Sequence, residues 1–217
     1  MGPLRTNCYV VIDDSLAVII DPGWHKNVEP IINVIRSRGV VVDSIIATHG
    51  HFDHVAGVGV FKNIFGARFL MNKKDLDLMK RSSYLAKEFL GIEIPEPPEP
   101  DDFVSENHVI RLNSIALRII ETPGHTAGSI SIIAEPVKRR MGVGKPLIFT
   151  GDTLFREGIG RIDFPESLPN EMIRSLRRIA ELPRETIVYP GHGPKTTIDH
   201  ELRNNIFLAE ILGGDLI

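Results

Sequence analysis

Thr48-His49-Gly50-His51-Phe52-Asp53-His54 packs three imidazoles and a carboxylate into seven positions, directly after the apolar run at residues 43–47. Histidine is the commonest metal-ligating side chain, and neutral imidazoles with a carboxylate suit a borderline dication. Three further segments repeat the theme: Thr122-Pro123-Gly124-His125, Thr150-Gly151-Asp152 and Pro190-Gly191-His192-Gly193. Each sets one ligand-capable residue beside a glycine, in a turn after an apolar run. Five of the eight histidines fall in these turns, while His25, His108 and His200 lack that setting and read as structural or exposed. A single such residue in a loop is ordinarily polar surface. Together they point to metal, because so many imidazoles and carboxylates gathered without a cation are costly to desolvate. A closed structural zinc site is disfavoured, since such sites are mostly cysteine-rich and four-coordinate.

The chain around this stretch suits one large domain. Its 217 residues can bury a substantial core, and 42% hydrophobic with 24% charged residues is ordinary for a globular protein. A net charge of −3 gives no global pull toward nucleic acid or anionic membrane. The one cysteine, Cys8, cannot form an internal disulfide and reads as a buried strand residue. No basic leader with a long apolar run opens the chain, and no segment reaches a membrane-spanning length, so a cytoplasmic protein is expected.

Strand patterns cover residues 7–12 and 16–20, joined through Asp13-Asp14-Ser15 as a hairpin. Apolar residues at Val28, Ile31, Ile32 and Ile35 predict a helix over 27–38, stopped by Gly39. A strand at 43–47 then exits into the His-rich loop. A short helix at 55–65, a strand at 67–71 and a helix at 73–90 follow. Pro95-Glu96-Pro97-Pro98-Glu99-Pro100 reads as an extended connector between two halves, because proline fixes its own φ and lacks a donor. Beyond it come strands at 109–112, 115–121, 129–134 and 147–150. An amphipathic helix at 168–182, a strand at 186–189 and a closing helix at 200–212 complete the pattern. Two similar halves, each a sheet with helices outside, predict a four-layer sandwich with the ligand loops at one edge.

His49 and His51, one residue apart, can both reach one ion. Asp53 and His54 are adjacent and must diverge, which serves a second. His125 can complete the first set and His192 the second, and Asp152 can bridge with its two oxygens. Two metals about 3.5–4 Å apart, bridged by Asp152 and a hydroxide, is the arrangement two-metal hydrolysis uses. Asp53 and Asp152 are the candidate catalytic carboxylates. Two divalent ions are expected, zinc first, with iron or manganese open.

This pattern resembles the metallo-β-lactamase superfamily over nearly the whole chain. Thr122-Pro123-Gly124-His125-Thr126, Phe149-Thr150-Gly151-Asp152-Thr153-Leu154-Phe155 and Gly160-Arg161 are similar to its glyoxalase II-like branch. The resemblance implies a single domain over residues 1–217, a four-layer αβ/βα sandwich of two mixed sheets with helices on the outer faces. It also implies a dinuclear centre, with His49, His51 and His125 on the first metal, Asp53, His54 and His192 on the second, and Asp152 between them. The branch hydrolyses thioesters of glutathione, so a small, anionic acyl-thiol is the expected substrate. Classical members of the branch carry a C-terminal helical extension that helps hold glutathione; here 25 residues follow His192, room for about two short helices, and the Gly191-His192-Gly193-Pro194 ending resembles the shorter members.

Gly158-Ile159-Gly160-Arg161-Ile162-Asp163-Phe164 also resembles the persulfide dioxygenases of the same superfamily, which implies one iron on His49, His125 and Asp152 as an alternative. RNA cleavage, known from other branches, is disfavoured by the short chain and acidic charge. The one dense basic run, Lys138-Arg139-Arg140, reads as the cap of a solvated hairpin. A non-enzymatic binding module is weaker still. Arg161 has two readings: it holds an anionic group of the substrate, or it pairs with an acid such as Asp163.

Overall fold

Four of the five residues of the second strand, Ala17 to Ile20, are fully buried, and this apolar run organises the first half of the chain. The computed structural model describes residues 1–137 and 145–213; the run Lys138-Arg139-Arg140 lies outside the described residues. The chain divides into two compact units, Met1–Val104 and Ser105–Ile217.

In the first unit β1 (Tyr9–Asp13) and β2 (Leu16–Ile20) form the expected hairpin, with Asp14 at φ 56° in its turn. Helix α1 (Glu29–Arg38) buries Ile32 and Ile35 and ends at Gly39, whose φ of 62° is the left-handed conformation glycine adopts without strain. Strand β3 (Val41–Ile46) pairs parallel with β2. The His-rich segment is more ordered than the expected loop. Phe52–Val55 forms one helical turn, α2, carrying Asp53 and His54. The helix expected from residue 55 begins only at α3 (Val58–Phe65), because the Gly57 amide donates to Pro22 O at 2.7 Å.

Strand β4 (Arg68–Met71) follows and pairs parallel with β3. The helix expected over 73–90 is broken into a 3₁₀ turn (Lys73–Asp75), α4 (Leu76–Lys80) and α5 (Ser82–Leu90). Asn72 caps the first piece by accepting from Lys74 N, and Asp75 turns inward to bind the Gly50 amide. The proline run is extended, but it does not divide the units. After it, β5 (Asp102–Phe103) still adds to the first sheet beside β4. The sheet order is β1-β2-β3-β4-β5, antiparallel at β1 and otherwise parallel. Buried strands of this kind read as continuous apolar runs.

The second unit holds β6 (Val109–Arg111), β7 (Ile115–Glu121), β8 (Ile130–Pro136) and β9 (Leu147–Gly151). A two-stranded ribbon follows, β10 (Leu154–Phe155) with β11 (Gly158–Ile159), which sequence patterning did not reveal. Helix α6 (Pro169–Ala180) starts on a proline and buries Met172, Leu176 and Ile179 against Ile133, Ile148 and Val188, while Ile173 stays exposed. Then come β12 (Ile187–Pro190) and β13 (Thr196–Thr197). The expected closing helix is two, α7 (Ile198–Asn204) and α8 (Ile206–Ile211). Asn205 separates them because its Oδ1 accepts from Phe207 N and Leu208 N, capping α8. The sheet order is β13-β12-β9-β8-β7-β6, with only β12 and β9 parallel.

Both sheets are therefore mixed and carry helices. Among the described residues no helix is long and apolar enough to cross a membrane.

Candidate metal centre

In the first unit the parallel strands β2 and β3 end in register, Ile20 opposite Ile46, so Asp21 and Thr48 emerge side by side. Asp21 is buried and accepts from Thr48 N and Thr48 Oγ1, each at 2.7 Å. Its Oδ2 also lies 3.0 Å from His54 Nδ1. The His49 Nδ1 sits 3.1 Å from Thr48 Oγ1, and since that hydroxyl donates to Asp21, the imidazole N–H is the donor. The His49 ring is thereby fixed with Nε2 as its acceptor nitrogen, the form a metal takes, while His54 lies against the Asp21 carboxylate.

The His49 ring is 4.9 Å from His51 and 4.0 Å from His54, centroid to centroid. The Asp53 Oδ2 accepts from Thr6 Oγ1 at 2.8 Å and lies 3.5 Å from His54 Nε2. All four predicted residues of this unit are thus brought together, with His49, Asp53 and His54 buried and His51 half-buried.

In the second unit three loops leave the sheet at one end. Glu121 pairs with Ile130, Ile132 with Phe149, and Pro190 with Gly151, which aligns the exits toward His125, Asp152 and His192. His125 Nδ1 donates to Arg161 O at 2.8 Å, again leaving Nε2 as the acceptor, and Ser167 Oγ donates to His125 O. The Asp152 Oδ2 lies 3.6 Å from His125 Nε2 and 3.5 Å from His192 Nε2. These three predicted ligands also come together.

The carboxylate-to-imidazole spacings fit cation binding. Two donors about 2.1 Å from one tetrahedral ion stand roughly 3.4 Å from each other, close to the separations seen in both units. Hydrogen-bonded pairs would sit nearer 2.8 Å. With the locked tautomers, the donor chemistry suits a divalent metal, and all seven residues are among the histidines and aspartates able to hold one.

Glycines back both carboxylates. A Cβ on Gly23 would fall 1.8 Å from Asp53 O, and one on Gly160 would fall 1.7 Å from Asp152 O. The Arg161 side chain is exposed. It donates from Nε and Nη2 to Asp163 at 2.9 and 2.8 Å and stacks 4.1 Å from the Phe164 ring centre. That hydrogen bonding holds the Arg161 pKa above, and the Asp163 pKa below, their ordinary values. The Phe164 ring in turn stands edge-on to His125 at 5.9 Å.

Among the remaining histidines, His200 pairs with Glu157 at 2.8 Å and His25 packs on Trp24. Cys8, expected as a buried strand residue, is half-buried and lies just before β1; it packs on the first core, and its thiol is pushed up to about 12, chiefly by desolvation and further by the Asp21 charge, so it stays protonated. Sequence reading missed Asp21, Thr6 and Asp75. The visible signal was an acid directly after a buried strand, level with Ala47 on the neighbouring one.

The metallo-β-lactamase superfamily model matches residues 1–192. The chain belongs to that superfamily. The hydroxyacylglutathione hydrolase GloC of Haemophilus influenzae is 35% identical over 94% of this chain and 93% of its own length. Among solved structures, TTHA1623 in a di-iron-bound form superposes with a TM-score of 0.81 at 34% identity, covering 95% of this chain and 97% of that one. The BLEG-1 B3 metallo-β-lactamase superposes at 0.82 with 30% identity, covering 96% of each. The mixed sheets with their helices are therefore the α/β metallo-β-lactamase fold. A glyoxalase II homologue at this identity supports the glyoxalase II-like branch of the superfamily. Its metallo-hydrolase character follows, with a small molecule as the consistent substrate. The relatives differ in named activity and metal, so superfamily membership alone leaves the reaction open.

Proposed function

We propose that this member of the superfamily hydrolyses a small acyl-thiol ester of the hydroxyacylglutathione type. The observation that carries the hydrolase reading is the seven-residue donor set, with His49 and His125 each held as the Nε2-acceptor tautomer and His54 beside the Asp21 carboxylate. The likeness to GloC supports the thioester. In this reading the chain is one functional domain, His49, His51 and His125 hold one divalent ion, Asp53, His54 and His192 a second, and Asp152 both. When bound, such ions lower the pKa of coordinated water toward about 7 and polarise an acyl carbonyl. Zinc is the proposed native metal, with iron and manganese its competitors.

The chain's own residues supply the rest. Asp21 and the Arg161 carbonyl orient imidazoles, Thr6 orients Asp53, and Asp53 and Asp152 keep the cluster from excess positive charge. The Arg161 guanidinium, exposed beside Phe164, meets the anionic end of the substrate by exchanging its Asp163 partner. We assign the protein to the cytoplasm, consistent with a single, protonated cysteine.

Metal analysis of purified protein, with S-D-lactoylglutathione and glutathione persulfide offered in parallel, tests the proposal. Two metals per chain and thioester cleavage without oxygen uptake are expected. A single iron with oxygen consumed on the persulfide would replace hydrolysis by sulfur oxidation. Asp53→Ala separates ligation from folding, because it should lose metal and turnover while keeping its circular dichroism.

A further inference from the structure

We propose that a second site, a cleft on the Ser105–Ile217 unit, binds a phosphate-type dianion through Lys145, Arg156 and Lys195. The cleft, wide open to solvent, has a volume of about 270 Å³, and none of the seven metal-donor residues lines it. Thr196, Thr197 and His200 also line it, with Ile187 as the one apolar contact among the described residues. That volume falls just below the roughly 300 Å³ where drug-sized ligand sites begin, so it suits a small anion or a small phosphorylated molecule.

The elements that build the cleft bring cations from three separate places. Lys145 precedes β9, Arg156 sits in the turn between β10 and β11, and Lys195 leads into β13. Strand register brings two of these segments to one another, since Ile187 pairs with both Leu147 and Thr197. Among the described residues no carboxylate lines the cleft. Two acids touch its lining from behind: Glu157, 3.4 Å from Arg156 and 2.8 Å from His200, and the buried Glu201, 2.6 Å from Thr196. Among the described residues, Lys145 and Lys195 have no ion-pair partner.

Three formal cations on one small cleft are not a by-product of a basic protein, because the chain carries −3 overall. They repel one another when the cleft holds only water, and an anion relieves that repulsion. A phosphate matches better than a carboxylate. It brings nearly two charges at neutral pH and three acceptor oxygens. Thr197 Oγ1 accepts from His200 N at 3.2 Å and keeps its own proton to donate, while Thr196 Oγ1 is committed to the buried Glu201 at 2.6 Å.

The test is a ¹H–¹⁵N NMR titration of the metal-loaded protein with inorganic phosphate, and separately with glycerol 3-phosphate, against sodium chloride at matched ionic strength. Saturable shifts at the Lys195, Thr196, Thr197 and His200 amides are expected with phosphate and not with chloride. The Lys145→Ala, Lys195→Ala double variant should bind at least tenfold more weakly at an unchanged melting temperature and hydrolase rate. Tighter binding of the monoester identifies a phosphorylated metabolite as the ligand class, and tighter binding of inorganic phosphate identifies the free anion. Shifts that chloride reproduces, that are confined to the loops of His125 and Asp152, or that survive in the double variant overturn the proposal.

Discussion

Asp21 illustrates how one side chain can govern others without touching a reactant. Its carboxylate is spent on Thr48 and His54, and through Thr48 it also fixes His49. Its φ of 50° lies in the left-handed region, which asparagine shares with little strain. Asp21→Asn therefore keeps the backbone and weakens the orientation of two imidazoles. We expect metal affinity to fall about 10–100-fold, read by competition with a chromophoric chelator, at a nearly unchanged far-ultraviolet spectrum. For Arg161 the expectation concerns substrate. Because its guanidinium is exposed and screened, Arg161→Ala should leave the melting temperature within about 1 °C and raise KM at least several-fold with kcat little changed. A lowered melting temperature with normal KM would restrict Arg161 to its ion pair with Asp163. The donor residues themselves were legible because glycine-flanked histidines stand out after apolar strands. Asp21 was not, since its role depends on contacts 27 and more positions away.

Among the elements, strands and helices announced by a continuous apolar run or a clean 3.6-residue period matched their expected positions, as β2, β3 and α6 show. The failures came where a polar side chain overrides a persisting period. Helical spacing runs through Asn205, yet its amide stops α7 and starts α8 while its Nδ2 donates to Gly158 O and Glu201. Asn205→Ala removes that cap and strands buried partners, so a loss of about 1–3 kcal/mol is expected in urea unfolding. The ribbon of β10 and β11 has two residues per strand, too few for any period to register.

The proline-rich connector has its own anchor. Asp101 binds the Lys62 ammonium and accepts from Phe69 N at 2.7 Å, and these bonds, Lys62 first, hold its pKa below the usual carboxylate value. A depressed folded-state pKa means the contribution is complete above the unfolded value of about 3.9 and is lost as pH falls through the folded one. With its side chain 38% exposed, solvent screening limits the effect to ~1 kcal/mol or less. Asp101→Asn should accordingly be slightly less stable than the parent at pH 7, with the gap closing as the pH falls below the ordinary carboxylate range.

For the molecule as a whole, metal and fold are linked if the seven donors serve resident ions. A ligand at a thousand times its dissociation constant stabilises the native state by about 4 kcal/mol. In a chain of this size that corresponds to roughly 10 °C in melting temperature. Exhaustive chelation should lower the transition by about that much, and added zinc should restore it; a transition indifferent to both would argue that the donors hold nothing. The fold class was readable at this scale because strands alternate with helices in the first half and a run of strands is followed by amphipathic helices in the second. The unit boundary was not, since β5 contributes only two residues and follows the proline run that suggested a border.

Gly23 and Gly160 carry a consequence for anyone ranking positions by tolerance. Each lies flush against the carbonyl of a liganding aspartate, so even one added methyl must push that aspartate's main chain aside. A saturation screen scored on survival would register these two silent residues as deeply as the imidazoles themselves, although neither has a side chain to offer an ion. Depth in such a map would measure contact with the scaffold as much as chemistry.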